Sequence, residues 1–303
     1  MELVLSKAIA FIAIIAMGYT LKRVGFFKAS DFYFISKIVI RITLPAVIVS
    51  NFSKLSMEPS LLIMCLVGIF CNLVMIAVGY VVNSRKTNRD KAFYMINLSG
   101  YNIGNFTMPF VQSFLGPVGF AATSLFDAGN AVMCTGVTYS LASAVIGEGE
   151  KKSLGSVIKK LFSSFPFDAY VIMTVLALLH LQLPQPVIIF ADTVGAANAY
   201  LALLMIGIGF DVKLDLETVG KFAKILFLRY GIALLFSLGF FFLTPFSLEL
   251  RQTLAIIVFG PISSVATAYT GQLDMDVAWS SAINSLSIIM SIITITIALI
   301  IVL

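Results

Sequence analysis

Runs of mostly apolar residues, each near twenty residues long, recur along this 303-residue chain and constrain its fold more than any other feature. A helix needs about 20 such residues to cross a bilayer. Charged residues make up only 12% of the chain, whereas soluble proteins carry roughly 25%. So few charges cannot cover a water-soluble surface, and we expect an all-α polytopic membrane protein in contact with membrane lipid. A soluble enzyme, a disordered chain, a coiled coil and a disulfide-stapled secreted domain are disfavoured.

The apolar runs predict ten transmembrane helices, which we number as segments 1 to 10. Segment 6 is the weakest because Pro184 and Pro186 leave it short, and nine or eleven spans are the alternatives. The segments, in order, are 3–21, 31–50, 60–83, 92–115, 118–146, 167–182, 185–209, 221–245, 249–270 and 277–302.

Basic residues between the segments predict the orientation of the chain. Alternate loops hold one large set: Lys22, Arg23, Lys28, Arg85, Lys86, Arg89, Lys91, Lys151, Lys152, Lys159, Lys160, Lys213, Lys221 and Lys224. The opposite loops hold little beyond Lys54 and Arg251. Because basic loops stay in the cytoplasm, we expect a multi-pass protein of the cell membrane with both termini outside. The charges that flank segment 1 follow it, which argues against a cleaved signal peptide.

The order of the segments predicts two five-helix repeats of opposite orientation, residues 1–146 and 167–303, joined by a cytoplasmic linker at 147–166. A short match supports this duplication: Lys54–Glu58 after segment 2 resembles Lys213–Glu217 after segment 7, which lies 159 residues later. The same offset places the stretch 100–109 of segment 4 on 259–268 of segment 9. Inverted repeats with interrupted helices in matching positions are typical of secondary transporters.

Both of these stretches carry residues that break a helix at membrane depth. Segment 4 has Gly, Asn, Ser, Thr and Pro within 99–109, and segment 9 has Gly260 and Pro261 followed by two serines. Freed backbone groups are costly in hydrocarbon, so such a stretch is tolerated only where it lines a cavity inside the protein. We expect both helices to unwind near the midplane and cross. The alternative is two kinked helices that pack through small residues.

Crossed broken helices would bring two half-helix N-termini together, and their free N–H groups form an anion site. Side-chain amides and hydroxyls in the same stretches add donors, so a carboxylate needs no cation to be held there. The predicted substrate-binding residues are Asn102, Gly104, Asn105, Pro109, Pro261, Ser263 and Ser264.

Four motifs stand out in segments 2, 4, 5 and 9. They are Leu44-Pro45-Ala46, Asn102-x-Gly104-Asn105-x-x-x-Pro109, Asp127-Ala128-Gly129-Asn130, and Gly260-Pro261 with the small residues after it. Together they resemble the auxin efflux carrier family, whose prokaryotic members carry malonate, malate and similar acids. The resemblance extends over essentially the whole chain. One departure is Thr107, where many members place a second Gly.

The resemblance implies the fold of bile-acid and sodium symporters, with two inverted repeats in which helices 4 and 9 cross as broken helices. It also implies a moving transport domain of helices 3–5 and 8–10 and a scaffold of helices 1, 2, 6 and 7. The scaffold usually makes the contact of a homodimer. The implied motion is elevator-like sliding of one domain past the other.

Ionisable residues inside a membrane are functional candidates by default. Asp127 and Asn130, one helical turn apart in segment 5, are candidates for binding a proton or Na⁺; the alternative for Asp127 is a buried carboxyl bonded to a neighbouring helix. Arg41 in segment 2 is a candidate for attracting the anion, and the alternative is a structural ion pair. For Arg229 in segment 8 we favour a structural role.

Motifs of enzymes and of metal or nucleic-acid sites are absent from the sequence. There is no phosphate loop, HExxH or GxSxG pattern, His180 is the single histidine, and the three cysteines show no metal-ligand spacing. We therefore expect no enzyme activity, no metal, no cofactor beyond a coupling H⁺ or Na⁺, and no nucleic-acid partner. The predicted function is secondary transport of a small organic anion. A ligand sensor without flux and an uncoupled, channel-like facilitator are the alternatives.

Overall fold

The computed structural model describes residues 2–54, 59–147, 154–210 and 216–303, and these residues are almost entirely helical. Seven helices within these ranges are long and apolar enough to cross a membrane, or eight if one bent pair counts as a single span. The protein is therefore an all-α, multi-pass membrane protein.

The helices follow the ten predicted segments closely in position. Three of the segments contain a π-helical turn, at Val39–Thr43, Ile103–Thr107 and Met133–Val137. The α-helices are Glu2–Arg23, Asp31–Ile38, Leu44–Phe52, Pro59–Val82, Asn88–Leu98, Met108–Phe114, Pro117–Val132, Thr138–Ile146, Leu154–Leu161, Phe165–Leu178, Gln185–Gly195, Asn198–Gly209, Leu216–Leu243, Leu248–Ile257, Val265–Gln272 and Val277–Val302.

Segments 4, 6 and 9 are the ones without a long continuous helix. Segment 4 is interrupted after Asn88–Leu98, and segment 9 is interrupted after Leu248–Ile257. Segment 6 is short because Phe165–Leu178 ends before the two prolines, and it meets the preceding helix at an angle of 84°. Length thus separates the seven candidate spans from the three segments whose helices are broken or bent.

The helices pack as two groups. Segments 3, 4, 5, 8, 9 and 10 form the first group, and segments 1, 2, 6 and 7 form the second. Glycines allow backbones to meet inside each group: Gly129 of segment 5 lies directly against the Cys65 carbonyl of segment 3. In the second group, Gly18 of segment 1 faces Gly207 of segment 7. Close backbone packing at small residues is a common basis of helix association in membranes.

Contacts between the two groups are made by side chains. The Phe11 ring of segment 1 lies 5.1 Å from the Phe110 ring of segment 4, centroid to centroid. Beside this apolar contact, Gln112 of segment 4 donates to the Gly195 carbonyl of segment 7 at 3.2 Å and accepts from Asn198 at 3.2 Å. The boundary between the groups is therefore partly polar at membrane depth.

Some of the sequence predictions fall on residues that are not described. The five-residue match between Lys54–Glu58 and Lys213–Glu217 depends on 55–58 and 213–215, which lie outside the described residues. The basic residues Lys151 and Lys152 of the predicted linker 147–166 also lie outside them.

Candidate functional site

The interruptions of segments 4 and 9 meet in the interior of the protein. Tyr101 and Ile262 form an isolated antiparallel bridge. Next to it, the Asn102 N–H donates to the Pro261 carbonyl at 2.9 Å, and the Ser263 N–H donates to the Gly100 carbonyl at 3.3 Å. Two unwound backbones thus satisfy part of each other's hydrogen bonding, as polar groups away from water must.

Asparagines of neighbouring helices complete the interruption of segment 4. Asn130 of segment 5 accepts from the Tyr101 N–H at 2.9 Å and donates to the Tyr101 carbonyl at 2.8 Å. Asn72 of segment 3 accepts from the Gly100 N–H at 2.7 Å. Gly100 itself has φ +76°, a left-handed conformation that glycine adopts without the steric cost of a Cβ atom.

Side chains of segment 10 support the interruption of segment 9 in the same manner. The Ile262 N–H donates to the Ser287 hydroxyl at 3.1 Å, and Asn284 donates to the Ile262 carbonyl at 3.0 Å. Ser291 donates to the Phe259 carbonyl at 2.6 Å. Each unwound stretch is therefore held by polar side chains of the helix that follows it in the chain.

Arg229 of segment 8 binds both interruptions at once. Its guanidinium donates to the carbonyls of Leu98, Gly100 and Gly260, and it lies 4.9 Å from the centre of the Tyr101 ring. The side chain is only 1% exposed. The structure therefore places Arg229 where the two interruptions meet, a position that the sequence pattern did not predict.

A cavity of about 240 Å³ adjoins the contact between the two interruptions and reaches the exposed Lys160. All three π-helical turns contribute to its wall, and so do residues at the start of segment 6. The lining residues are Ile40, Leu44, Tyr101, Asn102, Ile103, Gly104, Asn105, Asp127, Asn130, Ala131, Cys134, Thr135, Lys160, Ser164, Pro166, Phe167, Tyr170, Ser263, Ser264 and Val265. π-helical turns within longer helices are frequent at functional sites.

Most of the predicted substrate-binding residues lie on this cavity. Asn102, Gly104 and Asn105 line it from segment 4, and Ser263 and Ser264 line it from segment 9. The helical continuations begin here, at Ile103 and Val265, and the first N–H groups of a helix have no partner within it. The cavity therefore combines two helix starts with side-chain amides and hydroxyls.

Asn105 has a feature that bears on ligand binding. Its Oδ1 atom is buried and has no hydrogen-bond partner among the described residues. Buried polar atoms are nearly always paired in proteins, so an unpaired one at a cavity wall calls for an explanation. A bound ligand or a water molecule that donates to this oxygen would supply the missing partner.

Of the lining residues that the structure describes, Asp127 is the only carboxylate and Lys160 is the only cation. Asp127 accepts from Asn130 at 3.0 Å and from the Tyr170 hydroxyl of segment 6 at 3.3 Å. It also faces the backbone of Gly104, because a Cβ atom there would lie 3.6 Å from the carboxylate. Tyr170 was not among the predicted site residues, since a single Tyr in an apolar run carries no distinguishing pattern.

Four other residues singled out from the sequence lie away from the cavity wall. Pro109 and Pro261 are buried but do not line the cavity. Arg41 is exposed, and its guanidinium lies 5.6 Å from the centre of the Phe165 ring. Thr107 is fully buried against Gly260, whose Cβ position would lie 2.8 Å from the Thr107 hydroxyl oxygen. Thr107 therefore takes part in the packing between segments 4 and 9 and does not line the cavity.

Within the described residues, no group of three or more His, Cys, Asp or Glu side chains is arranged to hold a metal ion. No protein-family model matches the chain, and no curated protein matches it significantly. The similarity to the auxin efflux carrier family thus stays a prediction based on the four motifs.

Proposed function

We propose that this protein is a secondary transporter of small organic anions, such as auxin-like or dicarboxylic acids, in the cytoplasmic membrane. In this proposal the ten segments form two inverted five-helix repeats, segments 4 and 9 are the crossed broken helices, and both termini face outward. The protein would belong to the auxin efflux carrier family. It requires no enzyme activity, metal or nucleic acid, and its partners are the anion, lipid and a second copy of the chain.

The observation that carries the proposal is the bridge between Tyr101 and Ile262 next to a cavity. Both strands of this bridge interrupt segments of a membrane protein. Their unwound backbone therefore needs an explanation that holds inside a bilayer. Unwound backbone at membrane depth is tolerated where it is buried in protein or lines a water-filled cavity. Transporters place their substrate sites at such interrupted helices.

The charges around the cavity favour an anion. A helix start carries about half a positive charge, and the helices after both interruptions begin at the cavity wall. Donors from Asn102, Asn105, Ser263 and Ser264 suit carboxylate oxygens, which only accept hydrogen bonds. Lys160 at the exposed end of the cavity adds a positive charge that attracts anions from solution.

The packing of the helices supports an elevator mechanism. Under this proposal the first group, segments 3–5 and 8–10, is the transport domain, and segments 1, 2, 6 and 7 are the scaffold that forms the dimer contact. The Gly129–Cys65 and Gly18–Gly207 contacts hold backbones together within each group. Contacts between the groups depend on side chains, which can exchange partners when one group slides along the other.

The cavity lies open to the side that the basic loops assign to the cytoplasm. Lys160, Ser164 and Pro166 line it and belong to the predicted cytoplasmic linker. The conformation described here would therefore be inward-facing. Substrate would exchange with the cytoplasm in this conformation, and with the other side after the transport domain has moved.

Asp127 is the proposed coupling group, with Asn130 as its partner. A substrate carboxylate and an ionised Asp127 in one cavity repel each other. A proton bound by Asp127 removes this repulsion and also makes the carboxyl a hydrogen-bond donor. Proton binding and anion binding would then occur together, which is the requirement for coupled transport.

The test is uptake of radiolabelled malonate and related acids into proteoliposomes by the wild type, Asn102→Ala and Asn105→Ala. We expect each variant to lower uptake at least tenfold, because a hydrogen bond to a charged group is worth about 1.5–3 kcal/mol. Asn88→Ala is the matched control, since Asn88 is exposed at the start of the helix Asn88–Leu98, at the end opposite to the interruption. Unchanged uptake in both site variants would reject the proposed site.

Two further results would favour the alternatives. Specific binding of acids without counterflow in proteoliposomes would support a sensor. Saturable flux that ignores both proton and sodium gradients would support an uncoupled facilitator.

A further inference from the structure

The half-helices that end at the crossing create a negative region on the side opposite the helix starts. Asn88–Leu98 and Leu248–Ile257 both end there. A helix C-terminus carries about half a negative charge from its unpaired carbonyls. Two such ends together correspond to about one negative charge, and their last residues, Leu98 and Ile257, are fully buried.

Arg229 supplies the opposite charge at this point. Its Nη2 atom donates to the carbonyls of Gly100 at 3.0 Å and Gly260 at 2.8 Å, and its Nη1 atom donates to the Leu98 carbonyl. All three acceptors are main-chain carbonyls, and no described carboxylate forms a salt bridge with Arg229. A guanidinium stays protonated in proteins, so this positive charge is permanent.

Carbonyls of unwound backbone and of half-helix ends are also the ligands that hold Na⁺ in transporters with broken helices. In this chain such carbonyl oxygens bind the guanidinium of Arg229, which is covalently part of the protein and does not dissociate. We infer that Arg229 is a built-in cation, which takes the place of a dissociable inorganic cation at the crossing. It is a positioning residue: it holds the C-terminal ends of both half-helices, so the helix starts at the cavity keep their geometry and positive potential without a bound metal ion.

This inference predicts how the protein responds to cations. One consequence rests on the proposed transport function: any coupling ion would act at Asp127 and not at Arg229. The cation response itself is a property of the folded protein and is measured without substrate or flux. Loss of transport with a normal cation response would reject the proposed function and leave the role of Arg229 standing.

The experiment measures thermal unfolding of the purified full-length protein in detergent. The wild type and Arg229→Ala are compared in millimolar choline, sodium and methylguanidinium chlorides at equal ionic strength. We expect the melting temperature of the wild type to be the same in all three salts. Arg229→Ala should melt several degrees lower in choline, and methylguanidinium or sodium should restore part of this loss because either cation can bind the freed carbonyls.

Arg251→Ala is the matched control. Arg251 also donates to a main-chain carbonyl at a helix end, that of Phe241 at 3.1 Å, but it contacts neither interruption. Its variant should show no difference between the three salts. Arg229→Lys retains the charge without the planar fork, so we expect a melting temperature between those of the wild type and Arg229→Ala.

Arg229→Lys carries the test if Arg229→Ala does not yield folded protein. The inference is overturned if sodium stabilises the wild type as strongly as the variants, since a dissociable cation would then bind with Arg229 present. It is also overturned if no cation raises the melting temperature of either Arg229 variant above its value in choline.

Discussion

Asn130 offers the sharpest test of how the interruption in segment 4 is held. Its amide forms hydrogen bonds with both the N–H and the carbonyl of Tyr101, at 2.9 and 2.8 Å, and it is 3% exposed. The same side chain accepts from Asn72 at 3.2 Å and donates to Asp127 at 3.0 Å. Asn130→Ala removes all of these hydrogen bonds.

The expected loss of stability follows from the groups left without partners. Tyr101 lies outside regular helix, so its N–H and carbonyl have no helical partner to return to. A buried group that loses its partner costs about 1–3 kcal/mol, so the two together should cost about 2–6 kcal/mol. This is a large fraction of the net stability of a typical domain, about 5–15 kcal/mol.

Equilibrium unfolding in mixed micelles, followed by circular dichroism, measures this difference. Asn83→Ala is the matched control, because Asn83 is 2% exposed and donates at 3.0 Å to the Gly79 carbonyl of the adjoining helix turn. We expect its cost to stay near the average for membrane hydrogen bonds, about 0.6 kcal/mol. Equal costs for the two variants would refute the view that Asn130 holds the unwound backbone.

The remaining predictions concern packing, coupling and anion attraction. Gly129→Ala should destabilise the protein by about 1–3 kcal/mol in the same assay, because its Cβ would overlap the Cys65 carbonyl. Gly231 has open space around it, so Gly231→Ala should stabilise the protein by about 0.5–1 kcal/mol. Equal effects of the two substitutions would contradict this reasoning. Asp127→Asn should abolish the dependence of uptake on a proton gradient, and retained dependence in proteoliposomes would reject Asp127 as the coupling group. Lys160→Gln should raise the KM for anions severalfold at low salt and less at high salt, where charges are screened, and the exposed neighbour variant Lys159→Gln should leave KM unchanged.

Much of the fold follows from patterns that a sequence shows directly. Hydropathy predicted where the helices lie, and the structure confirms an all-helical membrane protein. The two interruptions were visible because Gly and Pro disfavour helix wherever they occur. The count of ten spans and the inverted repeat stay predictions, since segments 4, 6 and 9 are too short or too bent to qualify by length.

Other features depend on contacts between distant residues and leave no local pattern. Arg229 and Tyr170 act through partners in other segments, and a single Arg or Tyr in an apolar run looks the same whether it faces lipid, core or cavity. The π-helical turns, such as Met133–Val137, have no signature of their own, because glycines like its Gly136 also occur inside the continuous helix Leu216–Leu243. Packing between helices decides which face of a helix lines the cavity, and a single sequence does not show how the helices pack.

The hydrogen bonds of Gln112 set a condition on any sliding of the two helix groups. Movement along the boundary separates Gln112 from the Gly195 carbonyl and from Asn198, and each lost bond costs about 0.6 kcal/mol on average in a membrane protein. The sum is close to twice the thermal energy, about 0.6 kcal/mol at room temperature. These two bonds therefore favour the observed position of the groups only slightly. Thermal motion alone is enough to break them, so the groups could change position without an external source of energy.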